Sequence, residues 1–332
     1  MAYTLNVSTT TPHQKTILDA VKTTAESLSP AWTSVYAPSY NDGTRTRYVF
    51  KSPGTDPADS FYVVFWYHNT GATTTTAGIN GNGLFVTVCE DYNATTHELT
   101  KPAVFGNATC ATGNDGINGG PYSLADTITN CGWIGARSST GYWTSGKTAH
   151  ISVFSDGIAM TVDAGSTTSS CVLYAGKFTS LIKDADTLDT RRFAAVALGA
   201  ANNYSGGSSG SWHYGIGGAT RSARNAGKAA HSWALAASPF HTFTSPDNPA
   251  IATAEDSLQD GPVFSPVVLS RVGRATDGYL FGGLRARLPH VAIYGSNAGT
   301  YGDTFDISGD DYISAADNGG RSPAYSYLIE KG

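Results

Sequence analysis

The chain has 332 residues, enough to bury a sizeable core as one large β domain or as two smaller units. Charged residues make up only 14% of it, against about 25% in soluble proteins generally, and the net charge is -5. Such a balance gives no general attraction to nucleic-acid phosphates or anionic lipid, so direct genome binding is not expected, and no run of about 18 apolar residues offers a membrane span.

A helix is the first element predicted. Thr11-Pro12-His13-Gln14 supplies an N-cap, a proline at the first helical position and a capping-box glutamine. Ile17, Leu18, Val21, Ala25 and Leu28 then recur at helical spacing before Pro30, which places one apolar stripe on a sheet and leaves Lys15 and Lys22 towards solvent. From Trp32 the period becomes that of strands, with candidates at 31–36, 47–51, 61–68, 83–89, 150–155, 158–163 and 171–178. Ser155-Asp156-Gly157 is a hairpin signal, because Asp-Gly tolerates the positive φ angles of a type I′ turn. The stretch 184–260 is rich in Gly, Ser and Ala and poor in large apolar residues, so it reads as extended loop or linker. Strand patterning returns at 263–272, 278–282, 290–294, 304–307, 312–315 and 325–329, with a Gly-containing turn at Ser308-Gly309-Asp310-Asp311. The predicted fold class is therefore mainly β with one N-terminal helix: an antiparallel β-sandwich or α+β domain over 1–183, a loop region over 184–260, and a second, smaller β domain over 261–332.

No motif in the chain carries a recognisable chemistry. Gly206-Gly207-Ser208-Ser209-Gly210 matches G-x-S-x-G in form, but the strand that should precede Ser208 is missing. His97-Glu98 is followed by Lys101 where a second zinc ligand would have to fall, and Gly215-Ile216-Gly217-Gly218-Ala219-Thr220 ends in threonine and lacks an apolar strand before it. Asp303, Asp306, Asp310, Asp311 and Asp317 fit no EF-hand register and read as hairpin-turn residues. No catalytic, cofactor-binding or metal-binding residue is assigned, and no cofactor is expected. Cys89, Cys110, Cys131 and Cys171 form no C-x-x-C pair, and both buried free thiols and one or two disulfides fit them. Arg221, Arg224, Lys228 and His231 form the main basic cluster, with Arg285 and Arg287 a smaller one; contacts to acidic faces of neighbouring subunits and solvated loop charge both fit them. Tyr62, Phe65, Trp66 and Tyr67 lie in one candidate strand as core on both faces, or as a sugar-stacking platform.

An exterior of hydroxyls and amides suits a molecule packed against other subunits, because desolvating them costs much less than desolvating ions. The start of the chain, Met1-Ala2-Tyr3-Thr4-Leu5-Asn6, lacks a basic n-region and an apolar h-region, so no secretory signal is expected. The N-terminal helix before Trp32, the segment Leu173-Tyr174-Ala175-Gly176-Lys177-Phe178, the run Tyr279-Leu280-Phe281-Gly282-Gly283-Leu284-Arg285-Ala286-Arg287-Leu288-Pro289 and the closing Gly302-Asp303-Thr304-Phe305 together resemble virion structural proteins of tailed bacteriophages. The resemblance implies a non-enzymatic, repeated subunit of the tail, neck or collar, or baseplate. Such a subunit would be located in the virion and would have copies of itself and other virion proteins as partners. The alternative is a glycan-binding adhesin or receptor-binding tail protein, which needs exposed Trp or Tyr such as Trp66 or Trp143. A polysaccharide-degrading enzyme would need a close pair of carboxylates, and nothing in the sequence selects one.

Overall fold

A computed structural model of the chain describes residues 2–8, 13–35, 40–41, 45–54, 60–68, 84–95, 99–102, 132–134, 146–163, 171–180, 193–199, 231–237, 264–273, 284–294, 301–315 and 326–332. Strand β1 (Ala2–Ser8) precedes the helix α1 (His13–Glu26). A first sheet of seven strands follows: β2 (Thr33–Ser34), β3 (Tyr40–Asn41), β4 (Arg45–Lys51), β5 (Tyr62–His68), β6 (Leu84–Tyr92), β7 (Leu99–Pro102) and β8 (Gly132–Ile134). Next come β9 (Thr148–Val153), β10 (Gly157–Asp163), β11 (Cys171–Lys177), β12 (Thr179–Ser180) and β13 (Phe193–Gly199); all but β12 join β1 in a sheet of order β1-β9-β10-β11-β13. The C-terminal sheet contains β14 (His231–Ala237), β15 (Phe264–Gly273), β16 (Leu284–Tyr294), β17 (Thr304–Ile307), β18 (Asp310–Ala315) and β19 (Ser326–Glu330), in the order β14-β15-β16-β19-β18-β17, with β12 beside β16. Every described pairing is antiparallel, so the fold is mainly β with one N-terminal helix.

The helix forms where its stripe predicts. Ile17, Leu18, Val21 and Ala25 are fully buried against the sheets, while Lys15–Asp19 and Lys22–Glu26 pair at 2.5 Å one turn apart on the outer side. Such exposed pairs add only tenths of a kcal/mol each, roughly, so burial of the stripe holds the helix in place. At its end the Thr24 and Ser27 hydroxyls donate to carbonyls of the last turns, and the Trp32 amide donates to the Ala25 carbonyl at 3.1 Å. The Thr11-Pro12 cap lies outside the described residues.

In the first sheet, Tyr48, Phe50, Val63 and Phe65 fill one face, with Phe50 edge-on to Phe65 at 6.1 Å, and Arg47, Val49, Val64 and Trp66 are buried on the other. Burial on both faces explains why these strands read as continuous apolar runs rather than alternating ones. The sheet that contains β9, β10 and β11 is the layer touched by α1, by the first sheet and by the C-terminal sheet. One apolar cluster runs through all of them, from Ile17 and Phe50 through Ile151 and Met160 to Val291 and Ile329. The segments 1–183 and 261–332 thus contribute to a common core.

Three expectations need correction in detail. The helix is not the first element, since β1 precedes it and pairs with β9, Tyr3 opposite Ser152. The 184–260 stretch contains β13 and β14, which add to the sheets through backbone pairing with β11 and β15, a source of order that composition does not register. The Ser155-Asp156 turn makes its hairpin without positive φ at either residue, so it is not type I′. Gly157 instead serves close packing, because a Cβ there would lie 2.8 Å from the Tyr174 hydroxyl. The mirror-image geometry is found at the other hairpin, where Ser308 (φ 58) and Gly309 (φ 95) join β17 to β18.

Candidate functional site: a histidine between two carboxylates

Among the described residues, a densely bonded polar cluster begins at the β9–β10 turn. Four consecutive carbonyls there are bonded, three by donors from elsewhere in the chain and one from within the turn. The Trp32 indole donates to Phe154 O at 2.8 Å, the Ser52 hydroxyl to Ser155 O at 2.6 Å, the Lys177 amide to Asp156 O at 2.7 Å and the Phe154 amide to Gly157 O at 2.8 Å. A turn whose carbonyls are all satisfied in this way has little freedom, so it presents the Asp156 side chain in a fixed place. Tyr174, fully buried, crosses the paired glycines Gly157 and Gly176 and donates its hydroxyl to the Lys177 carbonyl.

The partner of Asp156 comes from the C-terminal sheet. Leu288 and Val291 both point into the core although they are three residues apart, so β16 must take an extra residue between them. Its pairing with β15 shifts register across this stretch, and His290 adopts φ 62. A bulge of this kind re-aims a side chain. Here it lays the His290 ring flat on Phe154, with centroids 3.6 Å apart and planes 4° from parallel. His290 Nε2 then meets Asp156 Oδ1 at 3.0 Å, and Nδ1 meets Glu330 Oε2 of β19 at 2.8 Å. The His290 side chain is 17% exposed.

Both ring nitrogens face carboxylate oxygens, and only the imidazolium has an N–H for each. Burial would lower the His290 pKa, but the hydrogen bonds and charges of Asp156 and Glu330 outweigh it and raise the group above its ordinary value. For Asp156, burial would raise the carboxyl, yet the bond and charge of His290, together with the charge of Lys177, hold it below the usual range. With both nitrogens committed, His290 has no lone pair for a substrate proton or a metal. The arrangement joins two sheets.

A second tether lies along the same layer. The Tyr301 hydroxyl reaches the carbonyls of Thr148 and Thr161 at 2.9 and 3.1 Å, bridging β9 and β10, and its ring sits 5.1 Å from His150. Burial lowers the pKa of His150 and of Lys147, against the opposing charge of Asp163.

The residues singled out from sequence fall elsewhere. Asp303, Asp306, Asp310 and Asp311 are exposed around the β17–β18 hairpin, where Asp306 Oδ1 accepts the Gly309 amide at 3.0 Å. Among the described residues no group of three or more potential ligands is arranged to hold a metal ion. Phe65 and Trp66 are core on opposite faces of β5, as expected; Tyr62 is half-buried and Tyr67 is buried. Trp66, 2% exposed, offers no platform for a sugar. Arg287 is exposed, Arg285 lies in β16 and His231 opens β14. Cys89 is a buried free thiol and Cys171 opens β11. Ser208, His97, Glu98, the stretch 215–220, Arg221, Arg224, Lys228, Asp317, Trp143, Cys110 and Cys131 lie outside the described residues. Sequence reasoning missed Asp156, His290 and Glu330 as a group. The available signal was the three-residue spacing of Leu288 and Val291, which breaks strand alternation beside a histidine. No protein-family model matches the chain, and no curated protein matches it.

Proposed function

We propose that the chain is a non-enzymatic structural subunit of a tailed-phage virion, assembling as an oligomer in the tail, neck or collar, or baseplate. The observation that carries this reading is how one buried polar group is used: His290, Asp156 and Glu330 are spent on one another, fastening sheet to sheet. Low charge and the resemblance of the segments around Trp32, Tyr174 and Gly302 to virion proteins support it further. Antiparallel sheets also supply a means of assembly. Among the described residues the strand orders end on β1 and β13, on β14 and β17, and on β2 and β7, and a sheet edge can accept a strand from a neighbour, giving a large interface without a basic patch. Light scattering on the purified full chain, across a hundredfold range of concentration, tests the assembly step. An oligomer of defined size is the expected result, and a monomer throughout would overturn the reading.

One observation favours a second reading, a glycan-binding adhesin or receptor-binding tail protein. The half-buried Tyr62 ring has Lys51 Nζ 5.7 Å from its centroid, Tyr92 at 6.3 Å and the exposed Asp91 acting on its hydroxyl. An aromatic face flanked by one cation and one carboxylate is suited to a sugar ring and its hydroxyls. Binding on a glycan array that disappears in Tyr62→Ala would establish this reading; an array blank for the unaltered chain would remove it.

A further inference from the structure

We propose that His290 is a protonation-dependent clasp: its doubly bonded ring locks the C-terminal sheet onto the β9–β10 hairpin, and losing one ring proton loosens β19 and the bulged part of β16 from that hairpin. The clasp would act whether or not the chain is a virion subunit. Carboxylate oxygens stand 2.8 and 3.0 Å from the two ring nitrogens, and a neutral imidazole carries one N–H only. Once neutral, the ring must turn an unprotonated nitrogen towards an anionic oxygen, in a site where His290 is 17%, Asp156 29% and Glu330 13% exposed. Water cannot easily screen that contact, so the contact opens.

The ring cannot escape by rotating in place. It is stacked flat on Phe154, whose carbonyl is held by Trp32 and whose amide closes the turn on Gly157. The φ of 62 at His290 is a further constraint, because non-glycine residues adopt the left-handed region uncommonly, even histidine, which tolerates it better than most. The clasp is what holds it. Opening would therefore let the bulge relax, and Glu330 would leave with β19.

Among the described residues, other charged and titratable groups face the clasp from β11, β16 and β18 and from the end of the chain. From β11 come Lys177, whose charge acts on Asp156, and the buried phenol of Tyr174. From β18 comes Tyr312, which feels Glu330 and Asp310 and, across the sheet, Arg287 of β16. Beyond Glu330, Lys331 pairs with Asp311 at 3.8 Å. The phenols of Tyr174 and Tyr312 are both raised above 10.0, so neither ionises in the range where the ring does.

The direction follows from linkage. His290 has a folded-state value above its ordinary 6.5, so its contribution is complete below 6.5 and is lost as pH rises through the raised value. Asp156 is depressed below 3.8, so its contribution is present above 3.8 and is lost as pH falls through the lowered value. The clasp is strongest between those limits and opens on the alkaline side. Each unit by which the His290 value is raised corresponds to about a tenfold change in the opening equilibrium.

Hydrogen exchange by mass spectrometry on the full chain tests this, with protection factors corrected for intrinsic rate and followed from mildly acid to mildly alkaline pH. Peptides covering 284–294 and 326–332 are expected to lose protection as pH rises through the raised value of His290, while peptides covering 13–26 stay level. His290→Gln, which donates through one amide and carries no charge, is expected to flatten the pH dependence. Asp156→Asn is expected to move the transition to lower pH, which keeps the test informative if His290→Gln fails to fold. Flat protection of 284–294 and 326–332 across the range in the unaltered chain, or a transition left in place in Asp156→Asn, would overturn the proposal.

Discussion

Replacing Gly176 by alanine places a methyl group at the most crowded point beneath the clasp. Its Cβ would lie 2.5 Å from the Asp156 carbonyl oxygen and 2.9 Å from the Tyr174 hydroxyl, with the Gly157 backbone also in the way. Two of those obstacles are backbone, so a side chain cannot simply swing aside, and β10 and β11 must separate. Overpacking of this kind costs about 1–3 kcal/mol. Separation also strains the 2.7 Å bond from the Lys177 amide to Asp156, which adds about 1 kcal/mol. The expected loss is therefore about 2–4 kcal/mol in all. Gly309→Ala is the matched control. Gly309 has open space around it but φ 95, so alanine there meets only backbone strain of about 1–2 kcal/mol. Urea unfolding of the two variants beside the unaltered chain measures both losses. If Gly176→Ala cost no more than Gly309→Ala, the close packing of Gly157, Gly176 and Tyr174 would not be what fixes Asp156.

Burial, with the charges of Asp91 and Glu90 adding to it, pushes the Cys89 thiol far above its ordinary range, so the thiolate that would react is scarce. In brief alkylation of the native chain followed by peptide mapping, the Cys89 peptide is expected to stay unmodified until denaturant is added; rapid native labelling would contradict its burial. Ser52→Ala removes the donor to Ser155 O at 2.6 Å and the acceptor of the Gly54 amide at 3.0 Å. Leaving those groups unpaired is expected to cost about 1–3 kcal/mol in the same unfolding assay, and a loss under about 0.5 kcal/mol would mean that water replaces the hydroxyl.

The legible parts of the fold are those fixed locally. Ile17, Leu18, Val21 and Ala25 announce α1 through their spacing alone, and the strands β4, β5, β9, β10 and β11 follow from short runs of β-branched and aromatic residues. The strands missed are those whose existence depends on a distant partner. Tyr3, Leu5 and Val7 alternate, but β1 is a strand because β9 pairs with it. Ala194, Ala195 and Ala197 have weak strand preference, and β13 is ordered by lying along β11. The clasp was less legible still. Asp156 is 134 residues from His290, and Glu330 is 40 residues beyond it, so only the folded sheets bring the charges together. Asp156 read as a turn residue and His290 as the start of a strand; each description is locally sound, and neither reveals the pair. The exposed aspartates of β17 and β18, conspicuous in sequence, prove to be hairpin and surface groups, because clustering along the chain says little about convergence in space.

Quantitative mass spectrometry of density-banded phage particles tests the proposed place of the chain in a virion most directly. Peptides from the chain should band with the particles at a fixed, multiple copy number. Recovery of those peptides only from the unassembled fraction of the lysate would contradict the account.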